Sequence, residues 1–193
     1  MIRLLIDTSS HRLSIAIAKD TEVIAAIDEV AFQTQSEILI ERIHELLRSC
    51  DLTPSSINAI GVAYGPGSYT GVRIGVSVAK VWAYAKDIPL YGFSSLAIFA
   101  HESKPTICVL DARSGRSFIG VYMQSEVILK DQIMVNESVL ELSKEHGYLI
   151  SGETNHLGLI SEPFDRFTNM IKLMNEENRV VNVNAFKPVY LKG

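Results

Sequence analysis

The chain carries the stretch GPGSYTGVRIG at residues 65–75, and the predicted fold is organised around it. An apolar run with strand character, residues 57–64, leads into this stretch. The opening Gly-Pro-Gly predicts a sharp turn, because glycine accepts positive φ angles and proline fixes its own φ. Ser68 or Thr70 is placed to cap the helix that follows, which extends to residue 85. The pattern therefore predicts a strand, a glycine turn and a helix N-terminus that could hold an anion.

The spacing of these glycines matches neither of the two common phosphate-loop patterns. A Walker loop needs a glycine, four further residues and then Gly-Lys-Ser or Gly-Lys-Thr, and no lysine stands at the required position here. The dinucleotide pattern Gly-x-Gly-x-x-Gly fails because Thr70 stands at its third glycine. We therefore interpret the stretch first as a tight turn into a packed helix, with anion binding as the alternative.

The predicted helix carries small residues at every fourth position, which places them on one ridge: Gly71, Gly75, Ala79 and Ala83. Larger apolar side chains cover a second face, and Arg73 and Lys80 lie in a polar stripe. A helix that is apolar on two sides is covered on two sides. One cover is the sheet of the same chain, and the other is predicted to be a second protein.

Composition and the first residues of the chain bear on the kind of surface and the compartment that we expect for this protein. The net charge of −4 and the pI near 5.7 argue against a strongly basic nucleic-acid surface. No apolar run reaches the roughly 18 residues of a membrane span, and Met1 leads straight into a strand rather than a basic leader. Cys50 and Cys108 are isolated, which fits a reducing compartment. We predict a cytoplasmic protein without membrane contact.

The order of apolar runs and turn residues predicts an α/β fold. Three strands in close succession within residues 2–30 indicate an antiparallel meander. The elements predicted next are a helix at 36–50, a strand at 59–64, a helix at 71–85, a strand at 89–93 and a helix at 94–100. After a boundary near residues 102–105, a shorter second half starts in the same way. We predict two subdomains, 1–103 with the order βββαβαβα and 104–193 in reduced form.

The stretch at 65–75 resembles the signature of the TsaB family, also called YeaZ. Further segments agree with that family in the same order: residues 5–9, 36–39, 94–96, 111–113 and 188–192. The likeness spans nearly the whole chain. It implies the fold of the actin and sugar-kinase superfamily, with two ribonuclease-H-like subdomains of which the second is reduced.

The resemblance also implies a function. Members of this family are non-catalytic partners of TsaD, which transfers a threonylcarbamoyl group to the tRNA adenosine 3′ of the anticodon. The implied partners are a TsaD homologue, a TsaE-type ATPase and tRNA bound through the complex, with a homodimer when the chain is alone. ATP or ADP and metal are expected on TsaD and TsaE, and no cofactor on this chain. The alternative is an active actin-fold ATPase or small-molecule kinase, against which the missing second phosphate loop counts.

Asp7 has two interpretations. It could position a Mg²⁺–phosphate group, as in actin-like ATPases, or it could cap its own turn through side-chain hydrogen bonds, which we favour. Any nucleotide is expected to bind weakly in the isolated chain, or only in a complex, at six residues: Asp7, Thr8, Ser9, Gly67, Ser68 and Thr70. Asp111 and Arg113 are expected to form a salt-bridged hairpin or to face a partner or RNA.

No catalytic and no metal-binding residue is predicted. TsaD holds its metal through His-x-x-x-His on one helix, and the first helix here has Gln35 and Leu39 at that spacing. The five histidines form no ligand pair in the sequence, whereas a metal site normally needs three or more such groups.

The helices at 36–50 and 71–85 are predicted to lie side by side in antiparallel orientation and to form the partner surface. Eight residues are assigned to it: Ser36, Ile40, Gly71, Arg73, Gly75, Ala79, Lys80 and Ala83. Arg73 and Lys80 would lie near its edge and reach an anion or acidic groups of the partner, with plain solvated charges as the alternative. Two copies of this helix pair would make a four-helix contact.

Overall fold

A computed structural model describes residues 1–31 and 33–191 of the chain. Within these residues the chain forms a five-stranded sheet, a four-stranded sheet and four α helices. None of these helices combines the length and the apolar character that crossing a membrane requires.

The first sheet has the strand order β3-β2-β1-β4-β5. Strands β1 (Ile2–Asp7), β2 (Arg12–Lys19) and β3 (Glu22–Val30) form the antiparallel meander, and β4 (Ala59–Ala63) and β5 (Leu90–Phe93) extend it in parallel. β4 and most of β1 are buried, which explains why they read as continuous apolar runs rather than alternating ones.

Two helices cover one face of this sheet. α1 (Gln35–Ser49) and α2 (Tyr69–Lys86) bury apolar residues at helical spacing in a shared core, including Leu39 and Ile43 from α1 and Val72 from α2. The side-by-side placement of the two helices is therefore confirmed. Their predicted antiparallel orientation is wrong: α1 connects β3 to β4 and α2 connects β4 to β5, and because these three strands are parallel the two helices run in the same direction.

The second sheet has the order β8-β7-β6-β9. β6 (Thr106–Arg113), β7 (Arg116–Met123) and β8 (Glu126–Val135) are antiparallel neighbours, and β9 (Leu149–Gly152) pairs with β6 in parallel. α3 (Asn136–His146) connects β8 to β9 and buries Val139 against this sheet. The order repeats the start of the first half in shorter form.

The last part of the chain returns to the first sheet. α4 (Arg166–Leu173) packs on the face opposite to α1 and α2, where Met170 and Leu173 join a core with Leu5. Beyond it, the Val189 N–H donates to the Tyr64 carbonyl at 2.8 Å. The division into subdomains 1–103 and 104–193 stays a prediction, and the segment after residue 165 contacts the sheet of the first half.

Most predicted elements are present within one or two residues of their predicted ends. The predicted helix at 94–100 is wrong, because only a 3₁₀ turn, Ala97–Phe99, forms there. The carbonyls of Ile98 and Ala100 accept hydrogen bonds from the Asn169 side chain, each at 2.9 Å. Because Ala100 is extended and these carbonyls are engaged by α4, the turn does not continue as a helix.

The ridge of small residues in α2 faces the chain's own sheet, which corrects its assignment to a partner surface. Gly71, Gly75, Ala79 and Ala83 are all buried. A Cβ atom on Gly71 would lie 2.0 Å from the Thr8 carbonyl oxygen. The small side chains therefore let α2 approach β1 and the turn after it, and they are not available to a second protein.

Candidate functional site

The glycine turn joins β4 to α2 in a conformation that needs glycine. Gly65 and Gly67 have φ angles of 113° and 153°, and a Cβ on Gly67 would lie 2.2 Å from the Ser9 carbonyl oxygen. The Ser68 N–H donates to that oxygen at 2.7 Å, and the Ser68 hydroxyl accepts from the Gly71 N–H at 3.2 Å. Ser68 is thus the helix cap, as one of the two predicted candidates.

The turn after β1 is built around Asp7, which is 2% exposed. Asp7 Oδ1 accepts from the Ser9 N–H at 2.9 Å and from the Ser9 hydroxyl at 2.6 Å. Asp7 Oδ2 accepts from Arg166 Nη1 at 2.8 Å, and the Thr8 hydroxyl donates to the Gly71 carbonyl at 2.7 Å. Asp7 therefore caps its own turn, as favoured from the sequence, and also pairs with an arginine that the sequence did not indicate.

A cleft of about 690 Å³ lies where the glycine turn, the turn after β1 and the end of β6 meet. Its lining includes residues from both sheets: Ser9, His11, Gln35, Ser36, Gly67, Ser68, Thr70, Gly71, Asp111, Arg113, Phe118 and Glu153. His11 Nδ1 lies 3.0 Å from Glu153 Oε1, so a contact links the two walls. The N-termini of α1 and α2 both open into this space.

The cleft brings together four of the six residues predicted to contact nucleotide: Ser9, Gly67, Ser68 and Thr70. Asp7 and Thr8 are instead buried and bonded to their neighbours. Asp111 and Arg113 also line the cleft, but the predicted side-chain salt bridge is replaced by a bond from the Arg113 N–H to Asp111 Oδ1 at 2.7 Å. The cleft thus offers helix N-termini, hydroxyls and one guanidinium to a ligand.

Gln35 and Leu39 in α1 have the spacing of the metal-binding histidine pair expected in TsaD. Gln35 is buried, and its side-chain amide donates to the carbonyls of Ser10 and Arg12 at 2.9 and 2.6 Å. Leu39 lies in the apolar core at 1% exposure. Within residues 1–31 and 33–191, no three His, Cys, Asp or Glu side chains gather in a group that could hold a metal ion.

The outer faces of α1 and α2 carry large side chains in contact with solvent. The exposed fractions are 45% for Ile40, 60% for Tyr69, 70% for Val81 and 68% for Tyr84. Ser36, Arg73 and Ser77 are exposed beside them. We call these seven residues the outer helix face. It includes Ser36, Ile40 and Arg73 of the predicted partner surface, whereas Tyr69, Val81 and Tyr84 were not predicted.

The two basic residues singled out in α2 have different surroundings. Arg73 stays on the outer helix face, where its Nη1 donates to the Tyr69 hydroxyl at 3.0 Å. Lys80 Nζ donates to the carbonyls of Asn184 and Phe186 at 3.1 and 2.6 Å. The assignment of Lys80 to a partner contact is therefore corrected: its ammonium group fastens the C-terminal segment to α2.

The structure also reveals residues that sequence reasoning missed. Arg166 reaches Asp7 across 159 positions of sequence, and His11 and Glu153 lie in loops next to strands of different sheets. No local motif marks any of them. Gln35, by contrast, was considered in the sequence for its spacing to Leu39, but the spacing does not predict its amide contacts.

Three comparisons place the chain among known proteins. The family model described as TsaD, tRNA N6-adenosine threonylcarbamoyltransferase, matches residues 21–183. The chain is 38% identical over 153 residues to the tRNA threonylcarbamoyladenosine biosynthesis protein TsaB of Bacillus subtilis, covering 75% of this chain and 67% of that protein. It is 28% identical over 158 residues to TsaB of Escherichia coli, covering 74% of this chain and 68% of that protein.

Among solved structures, YeaZ from Pseudomonas aeruginosa superimposes with a TM-score of 0.81 at 23% identity, covering 98% of this chain and 99% of that one. At this identity the likeness concerns the fold, and it confirms the predicted α/β fold of the actin and ribonuclease-H-like type. The family model and the Bacillus subtilis relative show that the chain belongs to the TsaB (YeaZ) family.

Proposed function

We propose that this chain acts in the biosynthesis of threonylcarbamoyladenosine in tRNA, as the non-catalytic partner of a TsaD-type transferase. The modified base would be the adenosine 3′ of the anticodon. The observation that carries the proposal is the outer helix face, where Ile40, Val81 and Tyr84 stay exposed on two neighbouring helices of a chain from this family. Large apolar side chains grouped on a surface mark a protein contact.

The same face is proposed to bind a TsaD homologue and, when that partner is absent, a second copy of this chain. The contact would pair α1 and α2 with the equivalent helices of the partner through side chains that protrude, since the small residues of α2 are buried. A TsaE-type ATPase and tRNA would join through the complex. The TsaB relatives are named for the same tRNA modification.

Two features beside the cleft support an accessory rather than a catalytic role. Gln35 and Leu39 are engaged with carbonyls and with the core, so neither presents a metal ligand. The Asp7 carboxylate is fully bonded to Ser9 and Arg166. We propose that ATP or ADP and metal act on TsaD and TsaE, and that this chain alone binds nucleotide weakly through Gly67, Ser68 and Thr70.

A binding experiment with a charge substitution tests the partner surface. Val81→Asp places a carboxylate on the outer helix face, and Val127→Asp is the matched control, since Val127 is 53% exposed on β8 of the other sheet. We expect Val81→Asp to weaken TsaD binding by about tenfold or more, because an unpaired charge buried in a contact costs at least about 1.4 kcal/mol. Val127→Asp should bind like the parent chain.

Titration calorimetry against purified TsaD measures both variants, and circular dichroism checks that each is folded. Unchanged affinity for Val81→Asp would contradict the proposed surface.

A second assay measures ATP turnover by the purified chain without TsaD. A rate equal to that of buffer alone would argue against the alternative of an active ATPase or kinase. Turnover that depends on the chain would instead support that alternative.

A further inference from the structure

A charge network that is buried at Asp7 and half-exposed at Asp28 connects α4 to the first sheet. The Arg166 guanidinium is the centre: its side chain is 10% exposed, Nη1 lies 2.8 Å from Asp7 Oδ2 and Nε lies 3.7 Å from Asp28 Oδ2. The rings of Phe99 and Phe164 flank it, with centroids 5.3 and 5.6 Å from its Cζ atom. Arg166 is therefore held on several sides and has little freedom to leave Asp7.

The network does not end at Asp7. The other oxygen of that carboxylate, Oδ1, receives both the N–H and the hydroxyl of Ser9. The Ser9 carbonyl then receives the Ser68 N–H at 2.7 Å, and Gly67 passes so close to it that a Cβ would collide. A continuous chain of hydrogen bonds thus runs from α4, through the turn after β1, to the first residues of α2.

We propose that Arg166 is a positioning residue for the glycine turn: through Asp7 and Ser9 it holds the backbone from which α2 and its outer face begin. Arg166 orients the Asp7 carboxylate so that its Oδ1 atom faces Ser9. The two hydrogen bonds to Oδ1 then hold Ser9, and with it the Ser9 carbonyl, in place. That carbonyl in turn sets the Ser68 cap, and Tyr69 of the outer helix face is the next residue. A change at α4 is therefore transmitted to the cleft and to the partner surface.

The competing explanation is that Arg166 only fastens α4. The two explanations differ in where loosening occurs when the pair is broken. A fastening role confines the change to α4 and its neighbours, whereas a positioning role loosens Ser9 and Ser68 on the far side of Asp7 as well. Amide hydrogen exchange resolves such local opening segment by segment.

The test compares Arg166→Met, Arg166→Lys and the matched control Lys172→Met by hydrogen exchange of the full chain. Lys172 lies on the same helix and pairs with Glu102 at 2.7 Å, but near the surface. We expect Arg166→Met to accelerate exchange of the Ser9 and Ser68 amides by about tenfold or more. Arg166→Lys should restore part of the protection because it keeps the charge. Lys172→Met should leave both amides at the parent rate.

Arg166→Met removes the charged partner of the buried Asp7 carboxylate, and this loss could unfold the chain. Ser9→Ala provides a second test in that case. This variant removes one of the two bonds to Oδ1 and leaves the Arg166 pair in place. We expect faster exchange at Ser68 with α4 unchanged. Parent rates at Ser68 in the Arg166 variants would overturn the proposal, whatever happens at α4. If Arg166→Met does not fold, parent rates at Ser68 in Ser9→Ala and Arg166→Lys would overturn it.

The consequence for partner binding rests on the proposed function, and it is measured separately. Arg166→Lys should bind TsaD more weakly than Lys172→Met, in proportion to the loss of protection at Ser68. If the parent chain itself does not bind TsaD, the proposed function fails while the exchange result still decides the role of Arg166. If the parent binds and the exchange pattern is confined to α4, only the role of Arg166 is overturned.

Discussion

The substitution Gly75→Ala tests whether the small-residue ridge of α2 is buried, because the two possibilities predict opposite signs. On a surface ridge, alanine would stabilise the helix by about 1 kcal/mol relative to glycine. In the structure, the added Cβ would lie 2.5 Å from Thr8 Oγ1 and 3.3 Å from Ile6 Cγ2. The first distance is shorter than any ordinary contact, so a neighbour must move.

The neighbour that must move is not free to do so. Thr8 is completely buried, and its hydroxyl donates to the Gly71 carbonyl at 2.7 Å. Overpacking costs about 1–3 kcal/mol and the weakened hydrogen bond about 1 kcal/mol, against the helix gain of about 1 kcal/mol. We expect a net loss of about 2 kcal/mol in the free energy of unfolding, which lowers Tm by roughly 4–8 °C for a chain of this size.

Urea denaturation followed by circular dichroism measures the change, with Ser77→Ala as the control. Ser77 lies two positions away on the exposed side of the same helix. Its replacement by alanine should change stability by less than about 0.5 kcal/mol, in the stabilising direction. A Gly75→Ala chain at least as stable as the parent would refute the packing of α2 against β1 described above.

Two further predictions concern buried titratable groups. Asp131 accepts from the hydroxyls of Tyr122 and Ser94, and burial raises the pKa of its carboxyl above the ordinary 3.8, against the opposing effect of those two donors. A raised pKa in the folded state means that stability is highest below the unfolded value and declines as the pH rises through the folded value. The urea midpoint of the parent, measured relative to that of Asp131→Asn, should therefore fall as the pH is raised from 4. A difference between the two midpoints that does not change with pH would contradict this prediction. Burial also raises the pKa of the Cys108 thiol, which is fully buried, whereas Cys50 is half-buried. A thiol reagent such as Ellman's should modify Cys50 in the folded chain and Cys108 only after unfolding, so rapid reaction of Cys108 in the native chain would show the packing of β6 to be wrong.

Much of the fold was predictable because the signals are local. Period-two and continuous apolar runs marked the strands, and the Gly-Pro-Gly turn with Ser68 marked the start of α2. The sequence did not reveal that residues 94–100 form only a short 3₁₀ turn. The Asn169 side chain bonds to the carbonyls of Ile98 and Ala100, which a longer helix would need for its own hydrogen bonds. That interaction joins residues about seventy positions apart, as the separation of 71 between Ile98 and Asn169 shows.

In the candidate site, too, some features were predictable from the sequence and others depended on tertiary packing. The sequence alone determined which residue types stand at the ends of β1 and β4, and hence that Ser9, Gly67, Ser68 and Thr70 approach a common space. It left open which apolar side of α2 faces inward, because periodicity identifies faces without saying what covers them. Tertiary packing decided that the ridge is buried, that Lys80 fastens the C-terminal segment, and that Arg166 pairs with Asp7. Each of these depends on the meeting of segments distant in sequence, and no local rule of spacing contains that information.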